Sequence, residues 1–514
     1  MLMKRENEYR LGKKSATGAF ATVATYCNTL LRRIRRNIVD RHIDIAPLVT
    51  FRILFGALMA FGAIRFMLSG WIEKLYVAPQ FFFKFYGFEW VQPFGEIGMY
   101  LLYGLIAVSA IMIMLGLFYR LGAILFFLSF TYSELIDATN YLNHYYLVVL
   151  LGFLLIFLPA NRALSLDVRR KPGLRRDSVP AWCVYVIIAQ FALVYTFAGI
   201  AKLNYDWLFR AMPLAVWLPE HTDMPVLGCL FGISWMPFAF SWIGAIYDLT
   251  IAYFLMWRVT RPYAYLVVIV FHTMTHLLFN IGLFPLIMTL GTLVFFSGAW
   301  HRRAWELTPL RLWLRRPSLK KRGAQMKKSL FAVGNPPLSW EERGPGGELK
   351  RADFKRKLLT AIIATYFLLQ LALPFRYLLY PGNLFWTEEG YRFSWRVMLL
   401  EKAGHATFYV EDRESGRKAE VINSDYLTSF QEKQMAIQPD FILQYAHFLA
   451  EEYAEKYELQ DPIVRADVFV ALNGKASERY IDPEADLTRI QDSFRPKKWL
   501  LSRAKDEVQS YSTK

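Results

Sequence analysis

The chain has 514 residues, 55% of them hydrophobic and 17% aromatic, and carries a formal net charge of +17. That apolar content excludes an ordinary soluble enzyme, since runs near ~20 residues are what a helix needs to cross a bilayer. The positive charge sits between the apolar runs rather than on a soluble face interleaved with aromatics, which excludes a nucleic-acid partner and points to membrane topology.

Residues 1–44 form a basic arm with Arg32, Arg33, Arg35, Arg36 and Arg41. Its "RRIRR" cluster reads as a topology signal or an anionic-lipid contact. The first apolar run is full length and reads as an anchor rather than a cleaved leader. About nine candidate spans follow by the ~20-residue criterion. They are Ala46–Leu68, Ile97–Phe118, Leu121–Ile136, Tyr145–Leu158, Ala181–Ile200, Trp235–Trp257, Tyr263–Phe279, Ile281–Phe296 and Leu358–Pro374. The third, fourth and last three are short, and short spans tilt less, thin the bilayer or hide inside the bundle. Residues 45–298 hold all spans but the last, 299–357 a basic loop and Pro/Gly-rich linker, and 358–380 the final span.

Every second connection is basic. Arg120 follows the second span, and Arg162, Arg169, Arg170, Lys171, Arg175 and Arg176 follow the fourth. Arg258 and Arg261 follow the sixth, and "RRAWELTPLRLWLRRPSLKKRG" the eighth. The positive-inside bias makes that side cytoplasmic and places residues 381–514 on the other side. There "ATFYVED" and "RKAEVI" flank "RESG" as a hairpin, and "FILQYAHFLAEEYAEKY" has helical spacing. "VRADVFVALNGKASERYIDP" reads as a second hairpin turning at Asn473–Gly474. The expected fold is a polytopic α-helical membrane protein of about nine transmembrane helices with a C-terminal non-cytoplasmic α+β domain. The lipid bilayer is its first partner.

The polar connections "DATNYLNH", "AKLNYDW" and "FNIG" fall on the same side as that domain, which suggests a roofed site at the outer membrane boundary. Lys202 closes the fifth span and reads equally as a snorkelling lysine or a reactive amine. His144 reads equally as a proton-transfer group or an interfacial histidine. Ionisable residues inside spans are costly and are usually paired or functional. Asp248 and His272 each lie about nine residues from the cytoplasmic end of their spans, a matched depth near ~14 Å. They are therefore expected to form a structural ion pair, with Asp248 not the direct partner of Lys202. "HTMTH" puts His272 and His276 on one helical face, a spacing open to a metal, but without further histidine clusters no metal is expected.

The ordered series "FRILFGALM", "MLGLFYRLGAILFFL", "LIDATNYLNHYYL", "FAGIAKLNYDW", "FHTMTHLLFNIGLF", "GYRFSWRVML", "FYVED" and "VFVALNGKASERYIDPEADL", from about Asp44 to Asp492, resembles the vitamin K-dependent γ-carboxylase family. The resemblance implies an enzyme that oxygenates reduced vitamin K, or a related quinol, to its epoxide while a proton leaves a glutamate γ-carbon and CO2 adds there. O2 and CO2 are then co-substrates, and a glutamate-containing peptide or protein is the acceptor. It implies that Lys202 is the catalytic base and that His144 is catalytic. It further implies that Asn143, Asp137 and His272 lie at the cofactor. A bacterial inner membrane or an endoplasmic reticulum membrane suits such an enzyme. The chain departs from the family in lacking cysteines that would tie the membrane portion to the outer domain, and in its longer basic loop. These departures leave the natural acceptor open, so a quinol epoxidase with little peptide carboxylation, or a transport or binding protein of the same fold, stand as alternatives.

Single-cysteine labelling at Ser178 and Ser502 is expected to report opposite sides of the membrane. Labelling of both from one side overturns the alternating topology.

Overall fold

The computed structural model describes residues 41–225, 227–279, 281–308 and 346–503. The arm as far as residue 40, most of the basic loop and linker, and Asn280 of "FNIG" lie outside the described residues.

Each expected apolar stretch coincides with helical structure. The elements are α1 Ala46–Leu68, α2 Gly95–Leu115, α3 Tyr119–Leu135, α4 Asn143–Phe157, α5 Trp182–Lys202, α6 Met236–Met256, α7 Arg261–Leu278, α8 Phe284–Gly291, α9 Gly298–Glu306 and α10 Gly346–Ala372. Among the described residues, five helices are long and apolar enough to cross a membrane: α1, α2, α5, α6 and the stretch Phe354–Leu379. A sixth is reached if Phe284–Phe295 and Gly298–Glu306, which meet at 116°, form one broken span. The expected count of nine is therefore not established. The shortfall has a physical cause: α3 and α4 have 17 and 15 residues, and α4 buries His144, Leu147, Val148, Leu151, Leu154 and Leu155 against protein. A helix walled by its neighbours need not match the lipid thickness.

A two-stranded ribbon, β1 His42–Asp44 against β2 Ser178–Pro180, ties down one end of the bundle. The C-terminal domain covers the other. Its antiparallel sheet runs in the order β4-β3-β5-β6, with β3 Lys402–Glu411, β4 Lys418–Glu420, β5 Ile463–Leu472 and β6 Glu478–Arg479. Alternate β5 residues Val464, Ala466, Val468, Val470 and Leu472 are buried. Helices α11 Ser429–Met435 and α12 Pro439–Tyr457 cover them, with Phe441, Ile442, Tyr445 and Leu449 facing inward. Both expected hairpins are present. Asn473 and Gly474 turn with φ of 52° and 68°, and Lys475 N donates to Leu472 O at 3.1 Å, the geometry that Asn-Gly favours.

The domain is bonded to the bundle, not merely tethered to it. Gln431 Nε2 donates to Asp137 Oδ2 at 2.9 Å, Asn143 Nδ2 to Arg396 O at 2.9 Å, and Asn473 Nδ2 to Asp206 Oδ2 at 3.1 Å. Lys84 and Gln444 exchange two bonds of 2.8 and 3.0 Å. The connections "DATNYLNH" and "AKLNYDW" are thus both bonded to the domain, and Phe279 packs on Trp217, which bonds Glu401 of the domain.

The polar end of α5 is set in place by the close approach of that helix to α6. A Cβ on Gly199 would lie 2.7 Å from Leu249 N, so only glycine admits this contact, as is common where membrane helices pack closely. Gly199→Ala is expected to destabilise the bundle by about 1–3 kcal/mol through overpacking, read as a lower melting temperature in detergent. An unchanged melt would show that the helices separate at no cost.

Candidate functional site

Lys202 is the last residue of α5, and its side chain turns back toward the helix N-terminus, as helical side chains do. That brings Nζ down to the level of the Gly199–Leu249 contact, where it donates to Asp248 Oδ2 at 2.8 Å. Both residues are buried, at 6% and 7% exposure. The indole of Trp207 lies 5.1 Å from Nζ and supplies the attraction of a ring face for a cation. Trp207 is itself fixed. Asn204 caps its short helix by accepting from Trp207 N at 2.9 Å, and Trp207 Nε1 donates to Ser241 O at 2.8 Å. The polar turn "LNYD" therefore clamps the end of α5 onto α6.

This corrects the expected pairing. Asp248 bonds Lys202, not His272. His272 Nε2 instead lies 3.1 Å from Tyr195 Oη and 3.4 Å from Tyr247 Oη, and its Nδ1 is buried without a hydrogen-bond partner. The stagger of the helices explains the difference: Gly199, near the end of α5, faces the second half of α6, so depths counted from helix ends do not share an origin.

The pair and the histidine cluster open into one cavity of about 850 Å³ between α5, α6 and α7. Its polar wall includes Lys202, Asp248, Tyr195, Tyr247, Thr250 and His272, and the remainder is overwhelmingly aliphatic and aromatic. Ile243, Ile246, Phe254, Val267 and Val270 rim it and are exposed on the outer face of the bundle, so a lipid-soluble molecule can enter from the side. Val397 and Met398 of the C-terminal domain also contribute to its wall. They belong to a segment in which Phe393, Trp395 and Met398 hold φ of 60°, 59° and 57°, a conformation that side-chain-bearing residues adopt only at a cost. Trp395 stacks on Tyr146 of α4 at 5.0 Å and holds the segment down.

The other expected residues lie elsewhere. The His144 ring packs against Phe284 at 5.8 Å, and Phe284 against His272 at 5.7 Å. Phe284 therefore forms the wall, and His144 is behind it. Asn143 accepts from Tyr141 Oη at 3.1 Å and bonds the roof through Arg396 O. Asp137 does not reach the cavity. Its carboxylate accepts from Thr139 N and Oγ1 at 2.9 and 2.7 Å and from Gln431, the local bonding short acidic side chains favour at turns. Burial pushes its carboxyl up from the usual range, against those bonds and the charge of Lys84. His276 is exposed one turn beyond His272, and among the described residues no group of three or more His, Cys, Asp or Glu is placed to hold a metal.

Two family models match the chain. The HTTM domain matches residues 40–300, and the lumenal domain of vitamin K-dependent gamma-carboxylase matches residues 355–506. The chain belongs to the vitamin K-dependent gamma-carboxylase family. No solved structure matches it. The cavity lies in the HTTM portion and is completed by two residues of the gamma-carboxylase lumenal domain, so both matched regions meet at one site. Its lining fits a quinol: an apolar chamber open to lipid, with a few convergent polar groups, is what a ring with a long apolar tail requires.

Lys202→Met leaves a buried carboxylate unpaired and is expected to cost about 3–5 kcal/mol. Adding Asp248→Leu is expected to recover most of that loss in the melting temperature. Additive losses in the double variant would show that the two side chains are not coupled.

Proposed function

We propose that this protein is a quinol-dependent γ-glutamyl carboxylase that couples epoxidation of reduced vitamin K, or a related quinol, to carboxylation of glutamate side chains. One observation carries the reading: a buried lysine–aspartate pair lies in the wall of an apolar cavity that opens to lipid. When bound, the reduced quinol would react with O2 to supply a base far stronger than any side chain and would leave as its epoxide.

The chain's own part is to hold that molecule dry and to take one proton. Phe240, Phe271 and Phe279 would hold the ring and tail, beside the His272 ring that Tyr195 and Tyr247 fix through Nε2. Paired as ammonium and carboxylate, Lys202 Nζ has no lone pair to offer. Asp248 Oδ2, at 2.8 Å, accepts its proton, and the freed amine can then take a proton from a hydroxyl in the cavity. The pair thus acts as one base, its two protonation sites coupled. His144 and Asn143 take positioning roles, His144 behind Phe284 and Asn143 through Arg396 O. The C-terminal domain would face the non-cytoplasmic side, where the acidic acceptor arrives.

Purified protein is assayed with reduced vitamin K, labelled bicarbonate and a glutamate-containing peptide. Epoxide together with labelled product supports the proposal; epoxide alone supports the quinol epoxidase; neither leaves a binding or transport role. Lys202→Arg retains charge and pairing but does not release a proton near neutral pH, so epoxide formation is expected to fall ~10²–10⁴-fold. Near-normal turnover by the arginine variant would make Lys202 an electrostatic anchor and not part of the base.

A further inference from the structure

A second cavity, of about 950 Å³, lies on the other side of the end of α5. The two are divided by the last turn of that helix and by the strained segment of the C-terminal domain. Ala198 and Lys202 face the apolar cavity, whereas Ile200, Ala201 and Asn204 face the second. Val397 and Met398 line the first, Ser394 and Arg396 the second. Reactants in the two chambers would therefore approach one partition from opposite sides.

The second cavity is more polar than the first and carries an excess of cations. Arg210, Arg396, Lys475 and Arg503 line it with Asp206 and Glu478. Arg210 pairs with Asp206 at 3.0 Å and Arg503 with Glu478 at 2.7 Å. Among the described residues, no carboxylate lies within ion-pair distance of Arg396 or Lys475, although the charge of Lys475 reaches Asp206. Arg396 is 8% exposed, its Nε has no hydrogen-bond partner among the described residues, and the rest of its guanidinium meets the side chain of Tyr377, by a hydrogen bond and at 4.5 Å from the ring. A buried guanidinium without a counter-ion is costly unless a ligand completes it, and its planar fork matches a carboxylate. Two carboxylates already in the wall disfavour a more highly charged anion.

We propose that this cavity binds a carboxylate-bearing side chain from the aqueous side, anchored by Arg396 and supported by Lys475. Equating that acid with the glutamate to be carboxylated rests on the function proposed above; the preference for a carboxylate does not.

The test is calorimetric binding to the full-length protein in detergent, without quinol. The probes are a short peptide with one glutamate, its glutamine isostere, free glutarate and inorganic phosphate. The glutamate peptide is expected to bind about 10- to 100-fold more tightly than the glutamine peptide, with glutarate competing and phosphate not. Arg396→Gln is expected to abolish that discrimination while quinone binding in the apolar cavity is retained. Half-buried Lys475→Gln, a second variant in case the first fails to fold, is expected to weaken the peptide in the same direction by less. Equal binding of the two peptides, binding unaltered in both variants, displacement by phosphate, or no binding at all would overturn the proposal. Carboxylate-selective binding without epoxide or labelled product in the full assay would remove the proposed reaction and leave this site standing.

Discussion

Two opposite charges held in an apolar bundle impose conditions on everything around them. Removing an ammonium and a carboxylate from water costs several kcal/mol for each ion, and their attraction offsets this only when the geometry is good. At 2.8 Å Lys202 and Asp248 meet that condition, and the surrounding sequence serves to maintain it. Gly199 lets α5 and α6 touch. Asn204 and Trp207 fold the next turn back over the pair. The C-terminal hairpin reaches Asp206 from above, through an asparagine that is itself fully buried. Without the pair, a polar turn at this depth would have no reason to be packed so closely.

The C-terminal domain does more than cover the bundle. Its segment around Trp395 departs from ordinary backbone at Phe393, Trp395 and Met398, and strain of this kind persists only where the surroundings over-determine it. Here the surroundings are Tyr146 on α4, Asn143 at the start of α4 and Tyr377 after α10. The result is a thin wall with apolar side chains on one side and an arginine on the other. The HTTM helices and the lumenal domain each contribute half of that wall, which gives a physical reason for their occurrence in one chain.

Much of the fold was legible because it depends on local pattern. The apolar runs placed most helices to within a few residues, but the last helix begins at Gly346, inside the expected linker, and Gly298–Glu306 is helical at the start of the expected loop, because polar residues extend a helix without an apolar signal. Asn473–Gly474 announced its turn through backbone preference alone. Lys202 was legible as a lysine where lipid ends. Its partner was not, because pairing depends on the stagger between α5 and α6 and on the backward lean of helical side chains, neither of which a count along the sequence contains. Asp137 was assigned to the cofactor by resemblance alone, and a motif does not show that its own turn and Gln431 satisfy the carboxylate away from the cavity. Tyr195 carried a weak signal, seven residues or nearly two helical turns before Lys202 and so on its face. Arg396 carried none, since its lack of a counter-ion exists only in three dimensions. The number of spans stays open for a related reason: apolar length does not distinguish a helix that meets lipid from one that meets protein.

The bond between Asp206 and Asn473 joins residues 267 positions apart. Chains are made and folded from the N-terminus, so α5 and α6 leave the ribosome long before the hairpin that caps them exists. The membrane helices must therefore survive an interval in which the lysine-bearing turn has no cover, and the last step of biogenesis is the docking of a domain across a long stretch of chain, a slow class of closure. A truncated product lacking the hairpin would have inserted helices and an open site, so the integrity of the distal end decides whether the membrane portion ever reaches its finished state.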